Sequence, residues 1–264
     1  MKIGFIGAGN MARAIIGGIL EGQVVSPSEV HASDPSISTR AKITEDFGIE
    51  TFDSNAEVAA WADIVVLAVK PFMMEDAIDS ISDVISLDTT VVSIAAGKTL
   101  EWIEQAFGME LKLVRVMPNT PALVGEGVTG ICANDRVSEE ELQAVVAMFR
   151  SVSIVELLTE PMIDVIGAVA GSTPAYVAMF IEALADAAVA EGMPRAQAYK
   201  VASQAVAGSA KLVAQTRMHP GALKDMVCSP AGTTIEGVQI LESRGMRAAV
   251  MEAIRAAIEK TRRL

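Results

Sequence analysis

The sequence predicts an α/β fold in two parts, a parallel sheet wound with helices and then an all-α second half. Three observations lead there. Short apolar runs alternate with helical patterns as far as Leu158, as strand–helix–strand units with right-handed crossovers do. One run, Ile64-Val65-Val66-Leu67-Ala68-Val69, is apolar throughout, which suits a strand covered on both faces. From Leu158 to Leu264 no convincing strand follows. A length of 264 residues has room for both parts, and the expected boundary gives domains 1–157 and 158–264.

In chain order, strands are expected over Lys2–Ile6, Val30–Ser33, Ile64–Val69, Val91–Ala95 and Leu113–Met117. Helices over Met11–Leu20, Thr39–Phe47, Asn55–Trp61, Met74–Ile81 and Leu100–Phe107 lie among them. Two further strands, Val128–Cys132 and Ile154–Leu157, flank a helix over Ser138–Phe149 that Ser138 and Glu141 open as a capping box. In the second half an Ala-rich helix spans Ala175–Ala190, and Gly192-Met193-Pro194 stops it and starts the next, Arg195–Gln215. His219-Pro220-Gly221 and Ser229-Pro230-Ala231-Gly232 are breaks around a short helix, Leu223–Val227. Helices over Thr234–Leu241 and Arg247–Thr261 complete the chain. These Ala-rich helices carry few large apolar residues for their length. They form either a self-contained bundle or a surface for another chain.

Composition narrows the function. Lys and Arg number 21 against 33 Asp and Glu, a formal net charge of −12. Such a surface repels phosphate backbones, so nucleic acid is not an expected partner, and an anionic ligand needs a local device. The two histidines, His31 and His219, and the two cysteines, Cys132 and Cys228, have no metal-ligand spacing, so no metal is expected. Two distant cysteines suit a reducing cytoplasm. The charge-free stretch between Asp164 and Glu182 falls short of the ~20 residues of a spanning helix, and Gly171-Ser172-Thr173-Pro174 is read as breaking it. The N-terminus is too short and Gly-rich for a signal peptide. A cytoplasmic protein without a membrane segment is expected.

Gly7-Ala8-Gly9-Asn10-Met11-Ala12 follows the first strand and opens a helix, the G-x-G-x-x-A variant of the dinucleotide fingerprint. The first glycine permits the tight turn, the second lets a pyrophosphate approach, and the helix N-terminal amides bind it. The first domain is thus expected to be Rossmann-like. Asp34, at the end of the second strand, is either a ribose ligand or a helix cap. The following Ser36, Ser38, Thr39 and Arg40 offer hydroxyls and a cation suited to a 2′-phosphate. The loop Ala68-Val69-Lys70-Pro71 leaves the carboxyl end of a strand and is expected to border the cofactor. Ala95-Ala96-Gly97 permits close approach of a flat ring. Asn119 either bonds a ligand or makes an Asx-turn. In the helical half, Cys228-Ser229-Pro230-Ala231-Gly232-Thr233-Thr234 brings free amides, a helix dipole and hydroxyls together. That is a seat for a small carboxylate, or else ordinary N-capping by Thr233 or Thr234.

The chain resembles the pyrroline-5-carboxylate reductase family along essentially its whole length. The resemblance is carried by Gly4–Ala12, Ala68–Pro71, Met117–Pro121, Pro174-Ala175-Tyr176, Ala183–Asp186, His219–Val227 and Ser229–Ile235. It implies reduction of 1-pyrroline-5-carboxylate to L-proline by NAD(P)H, with NADPH favoured. It also implies a helical domain that interlocks with a second copy to form a homodimer, with dimers assembling as far as a decamer. Carried over by position, cofactor contacts fall on Gly7, Ala8, Gly9, Asn10, Met11, Asp34, Asn55, Ala68, Val69, Lys70 and Pro71. Substrate contacts fall on Ser229, Gly232, Thr233 and Thr234, with Thr234 bonding the ring nitrogen. The family often has glycine where Ala231 stands and glycine or serine where Thr173 stands. Two other readings remain open here. One is a hydroxyacid dehydrogenase using Lys200, Lys211 or Lys224; the other is a cofactor sensor without turnover.

Overall fold

The apolar runs of the first half become strands β1 (Ile3–Ile6), β2 (Val30–Ser33), β4 (Ile64–Leu67), β5 (Thr90–Ser93), β6 (Lys112–Met117), β7 (Gly127–Ala133) and β8 (Ser153–Leu157), and β3 (Glu50–Phe52) joins them. Between them lie α1 (Asn10–Glu21), α2 (Ile37–Phe47), α3 (Asn55–Trp61), α4 (Met74–Asp79), α5 (Leu100–Phe107), α6 (Glu139–Arg150) and α7 (Glu160–Ile166). The structure, a computed structural model, describes residues 1–263. Among them the strands form one sheet in the order β3-β2-β1-β4-β5-β6-β7-β8.

The sheet is parallel from β3 to β6, and β7 then pairs antiparallel to β6, with Arg115 opposite Cys132. The strand–helix alternation of the sequence left the direction of this strand open. Residues 118–126 hold only a short 3₁₀ turn, Thr120–Val124, which is too little chain for a crossover helix. β8 returns parallel to β7 after α6. The strand β3 was not expected at all; three residues are too few for an alternation to register.

Side chains alternate across the central strands, so both faces are covered. Ile3, Phe5, Val30 and Val66 pack with Ile15, Ile16 and Ile19 of α1 and with Val145 and Phe149 of α6. Ile6, Val65, Leu67 and Val91 pack against Val58 of α3, Met74 and Ile78 of α4, and Ile103 and Phe107 of α5. The capping box at Ser138 and Glu141 forms as expected.

Two compact units divide at Gly171/Ser172, the first also taking the described residues from Ala257 onward. The first unit therefore runs past the boundary expected at 157/158. The reason is electrostatic and steric. Arg115, 2% exposed in β6, donates to Glu160 Oε1 at 3.2 Å and Asp164 Oδ1 at 2.6 Å, so α7 is held to the sheet. Ile163 is buried in the same helix.

Helical backbone continues from Glu160 to Ala190 as α7, a π-helical turn (Gly167–Gly171) and α8 (Ser172–Ala190). Gly171-Ser172-Thr173-Pro174 does not break it. By length and composition alone the continuous helix, longer than the charge-free stretch, is apolar enough to cross a membrane; the core helix of a soluble protein passes the same test. Ala170 lies four residues before Pro174, which has no N–H for its carbonyl. The Asn119 side chain donates to that carbonyl instead, at 3.0 Å.

The second unit contains α9 (Arg195–Thr216), α10 (Pro220–Val227) and α11 (Thr233–Ser243), and α12 (Met246–Thr261) begins there. His219 starts α10 as its N-cap, its Nδ1 accepting the Gly221 N–H, and does not end the helix before it. The unit's buried apolar cluster is Ala185, Ala198 and Ala202, with Ile181, Val189 and Met193 partly buried against it. Met179, Val201, Met226, Ile240 and Val250 are exposed. Three alanines are a thin core, and so many exposed apolar side chains mark a surface that another chain covers.

Candidate active site

The turn between β1 and α1 is built around Gly7. Its φ of 94° is a region L-side chains avoid, and a Cβ there would lie 2.9 Å from the Ala68 carbonyl oxygen. The turn can thus press against the Ala68–Pro71 loop only because residue 7 is glycine. Gly7 N–H donates to Ser33 O at 2.9 Å, tying the turn to the end of β2. Gly9 is the N-cap of α1 and offers no side-chain cap, and a Cβ on it would meet nothing within 4 Å. A helix leaves its first N–H groups without intrahelical partners and places partial positive charge there. Open space and unclaimed donors at one point fit the pyrophosphate of a dinucleotide.

The other expected cofactor residues converge on this end of the sheet. Asp34 Oδ2 accepts the Ala8 N–H at 3.1 Å, and Asp34 Oδ1 accepts the Ser36 N–H at 2.9 Å. Ser36, not Asp34, caps α2, accepting from Thr39 N–H. Arg40 donates to Asp34 O at 2.7 Å. Asn55 begins α3; its Oδ1 accepts from Ser33 Oγ at 2.7 Å and its Nδ2 donates to Ser80 Oγ at 2.9 Å. Lys70 is exposed and caps the 3₁₀ turn Pro71–Met73. Asn119 is buried and makes no Asx-turn: besides Ala170, it takes the Val128 N–H at 2.8 Å on its Oδ1. Both ends of that amide brace the protein itself.

Sequence reading missed Ser80, which gave no signal, and the Arg115–Glu160–Asp164 cluster. The latter had one: a lone arginine in the otherwise apolar strand Leu113-Val114-Arg115-Val116-Met117. Beside it, Cys132 is buried, and burial pushes its thiol up to about 11.

In the second unit Ser229, Gly232, Thr233 and Thr234 come together at the start of α11. Gly232 is the N-cap, without a side-chain cap, so Thr233 and Thr234 are the first two helical residues and neither performs the N-capping considered above. Ser229 O accepts the Gly232 N–H at 3.0 Å, and a Cβ on Gly232 would lie 2.3 Å from Ser229 Oγ. Ala231 has a φ of 54°, a left-handed conformation costing a residue with a Cβ about 1 kcal/mol. Thr234 borders a cavity of about 420 Å³ with Val213, Leu223, Lys224 and Cys228. Asp225, 2.8 Å from Lys224 Nζ, raises the lysine's pKa, so Lys224 stays cationic.

Two family models match the chain. One, described as pyrroline-5-carboxylate reductase dimerisation, covers residues 160–264, and one described as NADP oxidoreductase, coenzyme F420-dependent, covers residues 2–97. The pyrroline-5-carboxylate reductase of Escherichia coli K12 is 51% identical over 263 residues, 100% of this chain and 98% of that protein. This chain belongs to the pyrroline-5-carboxylate reductase family. The reductase of Arabidopsis thaliana is 40% identical over 100% of this chain and 95% of its own. Among solved structures, the Coxiella burnetii pyrroline-5-carboxylate reductase superposes with a TM-score of 0.92 at 33% identity, covering 99% and 97% of the two chains. The Plasmodium falciparum pyrroline carboxylate reductase with NADP bound gives 0.89 at 34% identity, with the same coverage. As a pyrroline-5-carboxylate reductase family member the chain is an enzyme, an oxidoreductase of proline biosynthesis. It has a nicotinamide-cofactor domain and a helical domain that mediates oligomerisation and explains the exposed apolar faces.

Proposed function

We propose that this chain reduces 1-pyrroline-5-carboxylate to L-proline, with NADPH favoured over NADH, in the cytoplasm, as homodimers that assemble as far as a decamer. The unit that runs to Gly171 holds the cofactor, and the helices that follow it carry the substrate loop and dimer contacts. The observation carrying the reading is that each unit has an uncapped helix N-terminus behind a glycine-containing turn, in an otherwise acidic chain. Each is a local anion seat that the overall charge does not provide.

The Gly7–Met11 turn, Asp34, Asn55 and the Ala68–Pro71 loop form the cofactor site, and Ser36, Ser38 and Arg40 suit a 2′-phosphate. Bound NAD(P)H supplies a hydride for the C=N carbon. The protein's own part is binding and orientation. The first amides of α11, with the Ser229 and Thr233 hydroxyls, hold the substrate carboxylate. The Thr234 hydroxyl accepts from the ring N–H of the iminium, the protonated form of this basic cyclic imine. Since the iminium is already electrophilic, no histidine acid is required, and positioning is the main source of rate.

NADPH and NADH oxidation should be followed with 1-pyrroline-5-carboxylate, with a 3-oxo acid as control. Turnover with the cyclic imine alone is expected; turnover with the oxo acid alone would favour a hydroxyacid dehydrogenase. Thr234→Ala should lower kcat about a hundredfold while leaving NADPH affinity as it was. Unchanged kcat removes Thr234 from the chemistry.

A further inference from the structure

Asp34 stands where a ribose-binding carboxylate is sought, yet both of its oxygens have other partners. Oδ2 accepts the N–H of Ala8, the residue between the two glycines of the β1–α1 turn, at 3.1 Å. Oδ1 accepts the N–H of Ser36, the N-cap of α2, at 2.9 Å. One side chain therefore joins the pyrophosphate turn to the helix whose first residues carry the hydroxyls and cation suited to a 2′-phosphate. The Arg40 guanidinium donates to the Asp34 carbonyl at 2.7 Å and closes the same loop from its backbone. Because the Ala8 amide is engaged here, anion binding by the turn falls to the uncapped first amides of α1.

A carboxylate that points outward accepts ribose hydroxyls and repels a 2′-phosphate. A carboxylate that accepts two backbone N–H bonds has those two acceptor directions committed and part of its charge compensated by the amide dipoles. We propose that Asp34 is a positioning residue: it braces the glycine turn against the α2 N-terminus in the arrangement that receives the cofactor, and it does not discriminate NADPH from NADH. This rests on the reading of that turn as the dinucleotide site.

The test titrates NADP⁺ and NAD⁺ calorimetrically into the full-length oligomer of wild type, Asp34→Asn and Asp34→Ser, and follows hydrogen exchange at the Ala8 amide. Asparagine retains one acceptor oxygen, and the serine hydroxyl reaches only the local Ser36 N–H. The Ala8 amide should exchange about tenfold faster in Asp34→Ser. Both dinucleotides should weaken by a common factor of about ten in each variant, with the ratio of their Kd values held within about twofold. A ribose contact predicts a split: NAD⁺ weakens and NADP⁺ tightens as the negative charge is removed. That split, or unchanged Ala8 exchange, overturns the proposal. Wild type binding neither dinucleotide would overturn the site reading on which it stands.

Discussion

The Ser229–Gly232 contact permits a quantitative test of the proposed carboxylate seat. In Gly232→Ala the new Cβ would sit 2.3 Å from Ser229 Oγ, inside any tolerable separation, and 3.1 Å from Ser229 O. The hydroxyl ends a side chain with one rotatable bond, so it swings away, while the backbone oxygen gives by a few tenths of an ångström at most. Gly232→Ala therefore removes the Ser229 hydroxyl from the seat without deleting it. A hydrogen bond to a charged group contributes about 1.5–3 kcal/mol, so Ser229→Ala should raise the KM for the imine about 10- to 150-fold. Gly232→Ala should raise it by a similar or slightly larger factor. If both act through one hydroxyl, the double variant stays near the Gly232→Ala value and does not reach the product of the two. Steady-state kinetics at saturating NADPH give all four corners of the cycle. Multiplying effects would refute the argument, since they would mean that the methyl and the hydroxyl perturb the site separately.

Two further outcomes follow from the ion pairs. Arg115→Met leaves Glu160 and Asp164 facing the buried side of the sheet without their cation; it should cost about 3 kcal/mol in urea unfolding, whereas Arg247→Met, at the exposed Glu242 pair, should cost under about 1 kcal/mol. Glu141 is held down to about 2 by Lys112, 2.7 Å away, and by Ser138, against an unfolded value of 4.5. Its contribution is present above about pH 4.5 and is lost as pH falls toward 2, so the Tm difference between wild type and Glu141→Gln should shrink over that range; a constant difference would show that the charge is not what stabilises the cap.

Much of the fold could be read from the sequence because it rests on local patterns. Buried central strands are uniform apolar runs, and α6 announces itself through Ser138 and Glu141. What escaped depends on distant partners. Nothing near Glu50 distinguishes a three-residue edge strand from a loop; its pairing with β2 decides. Pro174 reads as a helix stop because the residue that satisfies the Ala170 carbonyl, Asn119, is 51 positions away. The same limit applies at the site. The glycine fingerprint and the Ser229–Thr234 loop stand out as contiguous motifs, but that Asp34 turns toward Ala8 and Ser36, and that Asn55 joins Ser33 to Ser80, are facts of three-dimensional pairing.

The three-alanine core of the helical unit has a thermodynamic consequence. When burial inside one copy is so slight, oligomerisation supplies part of that unit's stability, and that part obeys mass action. Dilution then acts on this protein as warming acts on a monomeric one, and its midpoint of unfolding should climb with the logarithm of concentration. A cell making little of it would hold a larger unfolded fraction than one making much. A lesion in the helical half would also pass to sound copies, because each defective chain occupies a place in a shared fold.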